Sequence, residues 1–462
     1  MCAFHAYDIR GVWNKDFNSD TVYRIGFFLP ELLNTRSILV GRDDRSSSPE
    51  IREALVRGIT DAGADVYDIG LSTTPMVYFT TAHRGFKASV QITASHNPAE
   101  YNGLKVSREN ALPVGYDTGL GQLEEWILNG RPTTPHAQLP GKVIHLDVYE
   151  EYLAFQRRYL GDISNLKIAM DLSNGMASLF ADALFGDHPL YLYKEMDGRF
   201  PNHEPNPLVP ENTRDLRKRV QEEKCDIGVI YDGDADRVMF VDENGRFISP
   251  DLIIALLGDF FIQGKGTSAA ARKQAAQRPQ PPVRVLQDIR SSKAVSEYLQ
   301  PYGAEVHTWK VGRAFAALKL RQMDGLFGGE LAGHYYFKDF FYSDSGIMAS
   351  LIVLDLVAAA KREGKTFSQL VGAIERYENS GEINFRLERK QEAMEAVKAH
   401  FIAKETPTRE MDFDGYRVEF PHWWFNIRPS NTEPYLRFIC EADNHQLLEH
   451  IIEETRTIIN NL

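Results

Sequence analysis

One unit occurs three times in this chain and limits its fold more than any other feature. A short β-branched run is followed by a helical stretch and then a second β-run. The first copy reads SILVGRDD, SPEIREALVRGITDAG, ADVYDIG; the second LKIAMDLSNG, MASLFADALFG, PLYLYKEMDG; the third VRVLQDIRSS, KAVSEYLQPYG, AEVHTWKVG. Strand-helix-strand repetition of this kind is the βαβ signature of open α/β sheets. Ligands of such sheets sit beyond the carboxyl ends of the strands. Arg42, Asp43, Asp171, Asp288 and Arg290, at those ends, are therefore expected to face a pocket or the solvated loops around it.

The last hundred residues have a different pattern. INFRLERK, YRVEF, HWWFNIR and YLRFICEA have strand character and LLEHIIEETRTIINNL is an amphipathic helix, so a small α+β domain is expected. A chain of 462 residues exceeds what one core serves, so several domains are expected. The polar stretch from Gly264 to Pro282 reads as a mobile surface loop. The most apolar stretch, IMASLIVLDLVAAA, is too short for a bilayer and contains Asp355, which predicts a buried helix.

With 52 Lys+Arg against 64 Asp+Glu, the net charge of −12 disfavours non-specific binding to nucleic acid or an anionic membrane. Cys2, Cys225 and Cys440 lie far apart, against a disulfide framework or a cysteine zinc site. The N-terminal residues have no signal pattern, and a cytoplasmic address is expected.

Four segments carry chemistry. In CDIGVIYDGDADRVMFVDENG, Asp232, Asp234 and Asp236 alternate with small residues between two apolar β-runs. Carboxylates this close need a cation among them, and oxygen-only ligands suit Mg²⁺, Mn²⁺ or Ca²⁺. An EF-hand is rejected, because Arg237 stands where that loop needs Gly and the flanks are strands. In SVQITASHNPAEYNGLK, Ser95 sits among turn-forming residues, without a G-x-S-x-G elbow. On extended backbone Ser95 and His96 point opposite ways, so His96 is not expected to act as its base. Ser95 could instead carry a phosphoryl group beside a metal, with Lys105 as a proton shuttle. In WWFNIRPSNTEPYLRF, the donors Arg428, Ser430, Asn431 and Thr432 could converge on a phosphate. In LFGGELAGHYYF, Glu330 could accept two sugar hydroxyls and His334 donate to a ring or phosphate oxygen. Singly, each segment also reads as an ordinary acidic hairpin, capped Asn-Pro turn, polar hairpin or structural histidine. Jointly they fit phosphoryl transfer on a sugar phosphate where several domains meet.

TASHNP with the following NGLK, YDGDADR, GGELAGH and RPSNTEP, in this order, resemble the α-D-phosphohexomutase superfamily, and within it the bacterial phosphomannomutase/phosphoglucomutase group. AYDIRG and DGRFPNHEPNPLVPENTRDL look like the same group. The resemblance implies three α/β domains of similar topology with mixed sheets and a C-terminal α+β domain around a central cleft, with divisions 1–145, 146–247, 248–365 and 366–462. It implies that phospho-Ser95 completes the coordination of Mg²⁺ held by Asp232, Asp234 and Asp236. Lys105, Arg10 and His96 would serve the chemistry. Tyr7, Arg237, Arg290, Arg313, Glu330, His334, Arg428, Ser430, Asn431 and Thr432 would bind substrate. The implied reaction interconverts hexose 1- and 6-phosphates of mannose and/or glucose through a hexose 1,6-bisphosphate, with glucose 1,6-bisphosphate as activator. Sugar phosphates are the partners implied; nucleic acid, membrane and an obligate protein partner are not. An amino-sugar phosphate mutase, a phosphosugar hydrolase and a non-catalytic sugar-phosphate-binding protein are the alternatives. Three departures bear on the sugar: Ala332 where a serine is common, Arg313 where histidine is frequent, and Arg290 where lysine is frequent.

Overall fold

The computed structural model describes residues 3–135, 140–430 and 435–462. Among these residues the strands form four sheets. The first contains β1 (Ile9–Val12), β2 (Ser37–Arg42), β3 (Asp65–Leu71), β4 (Ala88–Ile92), β5 (Tyr101–Arg108) and β6 (Val143–His145), in the order β1-β5-β4-β2-β3-β6. The second contains β7 (Ile168–Asp171), β8 (Leu190–Leu192), β9 (Ile227–Tyr231), β10 (Val238–Asp242) and β11 (Phe247–Ile248), in the order β11-β10-β9-β7-β8. The third contains β12 (Val283–Asp288), β13 (Ala304–Trp309), β14 (Phe327–Gly329), β15 (Tyr335–Phe337) and β16 (Ser343–Asp344), in the order β13-β12-β14-β15-β16.

The three βαβ units read from sequence are the parallel pairs β2/β3, β7/β8 and β12/β13, each joined by a helix. In the first, Ile51, Ala54, Leu55 and Ile59 form the buried face of the connecting helix Ser48–Asp61. In all three sheets a third strand adds parallel to the first: β4, β9 and β14. A fourth then returns antiparallel to the third: β5, β10 and β15. The turn from third to fourth strand holds, in succession, Ser95, the three aspartates, and Glu330 with His334. Three of the four chemistry-bearing segments thus occupy one position in a repeated topology.

The C-terminal sheet is antiparallel, with β17 (Glu378–Asn379), β18 (Ile383–Arg386), β19 (Arg409–Met411), β20 (Tyr416–Glu419), β21 (Trp423–Pro429) and β22 (Tyr435–Ala442). The expected strands and the last helix, His445–Asn460, are present; the helix Lys390–Lys404 and β19 were not legible in the sequence.

The apolar stretch is the buried helix Gly346–Arg362. Its Asp355 accepts hydrogen bonds from the Thr267 and Ser268 amides and the Thr267 hydroxyl, which satisfies a carboxylate fully withdrawn from water. The same bonds correct the reading of Gly264 to Pro282 as a mobile loop. That segment contains the helix Ala269–Ala276, capped by Ser268 and held at its start by Asp355. Alanine-rich sequence favours helix, and a carboxylate at the N-terminus fixes where it begins. Among the described residues no helix is long and apolar enough to cross a membrane.

Candidate active site

Ser95 has φ 52°, in the left-handed region that costs a non-glycine residue about 1–3 kcal/mol. The alternation expected of extended backbone therefore fails here. His96 does not point away: its Nδ1 lies 3.5 Å from Ser95 Oγ. The Ser95 hydroxyl donates to Asp232 Oδ2 at 2.8 Å, across the boundary between the first two sheets. The Ser95 amide donates to Thr93 Oγ1 at 2.9 Å. Burial, and then the nearby Arg237, Arg10 and Lys105, hold His96 well below the ordinary histidine pKa. Arg10 donates to Asn97 Oδ1 at 2.7 Å and also to Asp8, which fixes the far side of the Ser95 turn.

Asp232, Asp234 and Asp236 are buried, and each offers an oxygen within 4.8 Å of the others'. Lys105 Nζ bridges the cluster, donating to Asp234 Oδ2 at 2.6 Å and Asp236 Oδ2 at 2.5 Å. Burial pushes the Lys105 ammonium down, but these two carboxylates outweigh it and hold its pKa above the ordinary lysine value. Asp232 is pushed well above the usual carboxylate range by burial, then by Asp236 and Asp234. Thr74 of the first domain donates to Asp234 through its hydroxyl, and its amide donates to Asp234 O at 3.1 Å. Asp234 Oδ1 and Asp236 Oδ1 are buried without a hydrogen-bond partner among the described residues. Buried orphan oxygens in an all-oxygen donor set fit a hard divalent cation such as Mg²⁺.

The turn between β14 and β15 brings Glu330 and His334 to the same region. Glu330 Oε1 accepts from the Tyr336 hydroxyl, and Oε2 from the Gly312 amide at 3.1 Å. His334 Nδ1 lies 2.7 Å from Asp344 Oδ2, while Nε2 accepts from Arg237 Nε at 2.9 Å. Both ring nitrogens thus face protein groups, which links the third domain to the turn of the three aspartates. Burial opposes ionisation of Asp344, but His334 and Arg313 hold it at about 2. Arg313 Nε donates to Asp344 at 2.9 Å, Nη2 donates to Ala111 O at 3.1 Å, and the guanidinium stacks 3.6 Å from the Tyr78 ring centroid. The Tyr7 hydroxyl donates to Val311 O at 3.1 Å.

Arg290 and Arg428 lie at the junction of the third and fourth domains. Arg290 Nη2 donates to Asp288 Oδ2 at 2.6 Å. Arg428 is 4% exposed, and its Nη1 stands 3.6 Å from Asp414 Oδ1. Its Nε and Nη1 have no hydrogen-bond partner among the described residues. Burial, then Arg290, push its pKa down. The Ser430 amide donates to Tyr435 O at 2.9 Å. Asn431 and Thr432 lie outside the described residues.

Several participants escaped sequence reading. Thr74, Asp344 and Asp414 carry no local motif. Arg45 stands three residues beyond Arg42, past the strand end that drew attention to Arg42 and Asp43. Asp43 and Asp171 turn inward, to Arg45 with Ser48 and to Ser173 with His203, rather than to open solvent.

Comparison with known proteins covers the whole chain. Models of phosphoglucomutase/phosphomannomutase α/β/α domain I, domain II, domain III and the C-terminal domain match residues 1–129, 149–245, 264–377 and 382–458. A phosphomannomutase of Escherichia coli is 35% identical over 457 residues, covering 96% of this chain and 95% of its own. A Xanthomonas campestris protein described as phosphohexose mutases is 36% identical, covering 98% and 97%. A crystal structure of a phosphoglucomutase/phosphomannomutase family protein from Burkholderia thailandensis superposes with TM-score 0.83 at 27% identity, covering 100% of this chain and 97% of that one.

Proposed function

The chain belongs to the phosphoglucomutase/phosphomannomutase family and is an isomerase, and from that premise we propose that it interconverts hexose 1-phosphate and hexose 6-phosphate, with mannose and/or glucose as the sugar. Ser95 carries the phosphoryl group between half-reactions, and a hexose 1,6-bisphosphate is the intermediate. The observation that carries this reading is Ser95 Oγ held 2.8 Å from Asp232, within a cluster of three buried carboxylates and one partly buried ammonium. A nucleophile in such a place is poised for phosphoryl rather than acyl transfer.

Asp232, Asp234 and Asp236 would hold Mg²⁺. Bound there, the cation supplies charge neutralisation for the transferring phosphoryl oxygens. The remaining work falls to the chain's own residues. His96 can accept the Ser95 proton as Oγ attacks, and the Lys105 ammonium can donate to a departing sugar oxygen. Arg10 and Arg237 add positive charge without exchanging protons. Arg428, Arg290 and Ser430, with Asn431 and Thr432, bind the non-reacting phosphate, and Glu330 receives sugar hydroxyls. Turnover of the bisphosphate within the cleft presents either phosphate to Ser95. Units close to 1–145, 146–247, 248–365 and 366–462 surround that cleft, and glucose 1,6-bisphosphate serves as activator.

Phosphorus NMR tests the reading. Mannose 1-phosphate and glucose 1-phosphate are offered together with Mg²⁺ and a trace of glucose 1,6-bisphosphate. Appearance of one or both 6-phosphates is expected and ranks the sugars. Release of inorganic phosphate instead would replace the mutase by a hydrolase. No conversion of either sugar would move the proposal to an amino-sugar phosphate.

A further inference from the structure

Arg45 is fully buried, and its guanidinium is spent on main-chain carbonyls. Nη2 donates to Ser95 O at 2.9 Å and Asn97 O at 2.7 Å, and Nη1 donates to Pro98 O at 2.6 Å and Tyr101 O at 3.0 Å. One side chain thus gathers four carbonyls of the turn that carries Ser95. Asp43 Oδ2, 3.2 Å from Nε, balances the charge. The second domain closes over this arrangement. Phe200 places its ring 4.8 Å from the guanidinium carbon. Two residues earlier, Gly198 lies so close that an added Cβ would stand 2.4 Å from both Arg45 Cα and Asp44 O. Gly233, in the metal loop, presses on the same carbonyl, since a Cβ there would stand 2.5 Å from Ser95 O.

We propose that Arg45 is the positioning residue of the phosphoryl-carrying serine: it holds the left-handed turn so that Ser95 Oγ faces the three aspartates, and Phe200 and Gly198 lock it from the second domain. The inference deepens the proposed function and rests on it. A turn held by four charge-assisted hydrogen bonds keeps a nucleophile in place without touching substrate. The segment DGRFPNHEPNP, to which the proposed chemistry gives no role, thereby gains one: its Gly198 and Phe200 brace the serine turn. A lysine at position 45 would keep the charge but not the planar fork that reaches four acceptors.

The step to follow is phosphorylation of Ser95 by glucose 1,6-bisphosphate. An Oγ–P bond forms and a sugar O–P bond breaks; His96 takes the hydroxyl proton, Lys105 protonates the departing sugar oxygen, and a proton then passes from His96 back to Lys105 through solvent, leaving a glucose monophosphate. Intact mass, sampled by rapid quench, reads the rate on dephosphorylated enzyme, and isothermal titration with glucose 6-phosphate reads affinity. For Arg45→Lys we expect the rate to fall at least 30-fold while affinity stays within about threefold. Phe200→Leu, which leaves the guanidinium in place, should slow the step about fivefold in the same manner. Phosphorylation at the wild-type rate in either folded variant overturns the assignment. So does a loss of affinity that matches the loss of rate, because Arg45 would then act on binding. If Arg45→Lys does not fold, Phe200→Leu decides alone by the same criteria. Failure of the wild-type protein to take up a phosphoryl group would instead refute the proposed function, which keeps the two failures apart.

Discussion

Lys105, partly buried, and Arg428, buried, are both cations in the proposed cleft, and their surroundings are opposite. Lys105 lies between two carboxylates that raise its pKa against the effect of burial. Arg428 has one carboxylate at 3.6 Å, another arginine nearby, two nitrogens, Nε and Nη1, with no hydrogen-bond acceptor among the described residues, and a pKa pushed down. The first site has surplus acceptors, the orphan oxygens of Asp234 and Asp236. The second has surplus donors. A cation completes the one and an anion the other, so the two ends suit a metal ion and a phosphate respectively. The Ser95 end is also tied together by bonds among three domains, whereas the Arg428 end leaves donors open. That contrast suits the proposed mechanism, in which one chemical step is repeated at a fixed point while the substrate presents two orientations.

The largest test of the contrast is removal of the nucleophile. Ser95→Ala should abolish mutase turnover and the phosphorylated species seen by intact mass; activity within a few-fold of wild type would end the phosphoserine assignment. Asp234→Asn should lower the rate by about 10²-fold or more and shift the Mg²⁺ titration, with circular dichroism unchanged. An unaltered Mg²⁺ midpoint would show that the acidic cluster is not the metal site. At the opposite end, Arg428→Lys should act mainly on KM, raising it about 10- to 100-fold, the scale of one or two charged hydrogen bonds of about 1.5–3 kcal/mol. A loss confined to kcat would erase the distinction between the two ends.

A smaller effect concerns how the fourth domain docks. Glu441 accepts from Trp424 Nε1 at 2.7 Å, and burial, then Asp251, push its pKa up to about 7. A carboxyl raised on folding takes up a proton between the ordinary glutamate pKa and about 7. Its contribution to stability is therefore lost as pH rises through that window. Thermal unfolding at pH 5.5 and pH 8 should show the wild type losing stability, and Glu441→Gln losing less by up to about 2 kcal/mol. Parallel pH profiles for the two proteins would remove Glu441 from that account. Smallest of all, Ala332→Ser should change the ratio of mannose to glucose phosphate turnover by a few-fold, the worth of one hydrogen bond of about 1 kcal/mol. An identical ratio would show that the missing hydroxyl plays no part in sugar choice.

Much of the architecture was legible because it is written in local patterns. The alternation of β-branched runs with amphipathic helices gave β2/β3, β7/β8 and β12/β13. Closely spaced carboxylates gave the acidic cluster between β9 and β10. The Gly264 to Pro282 segment misled because its polar composition resembles a loop, while its helix is anchored by Asp355 from far along the chain. His96 misled for a related reason. The alternation rule assumes extended backbone, and Ser95, with φ 52°, departs from it.

By itself the sequence determined most of the strands and helices, the order in which they follow one another, and which residue types carry charge, because propensity, periodicity and turn chemistry act over a few neighbours. Only the tertiary structure decided that the three turns share one topological position. It alone set Ser95 against Asp232, turned both nitrogens of His334 toward protein groups, and placed Arg45 behind the serine turn. Those outcomes depend on hydrogen bonds between atoms tens to hundreds of residues apart, whose geometry is set when whole domains pack.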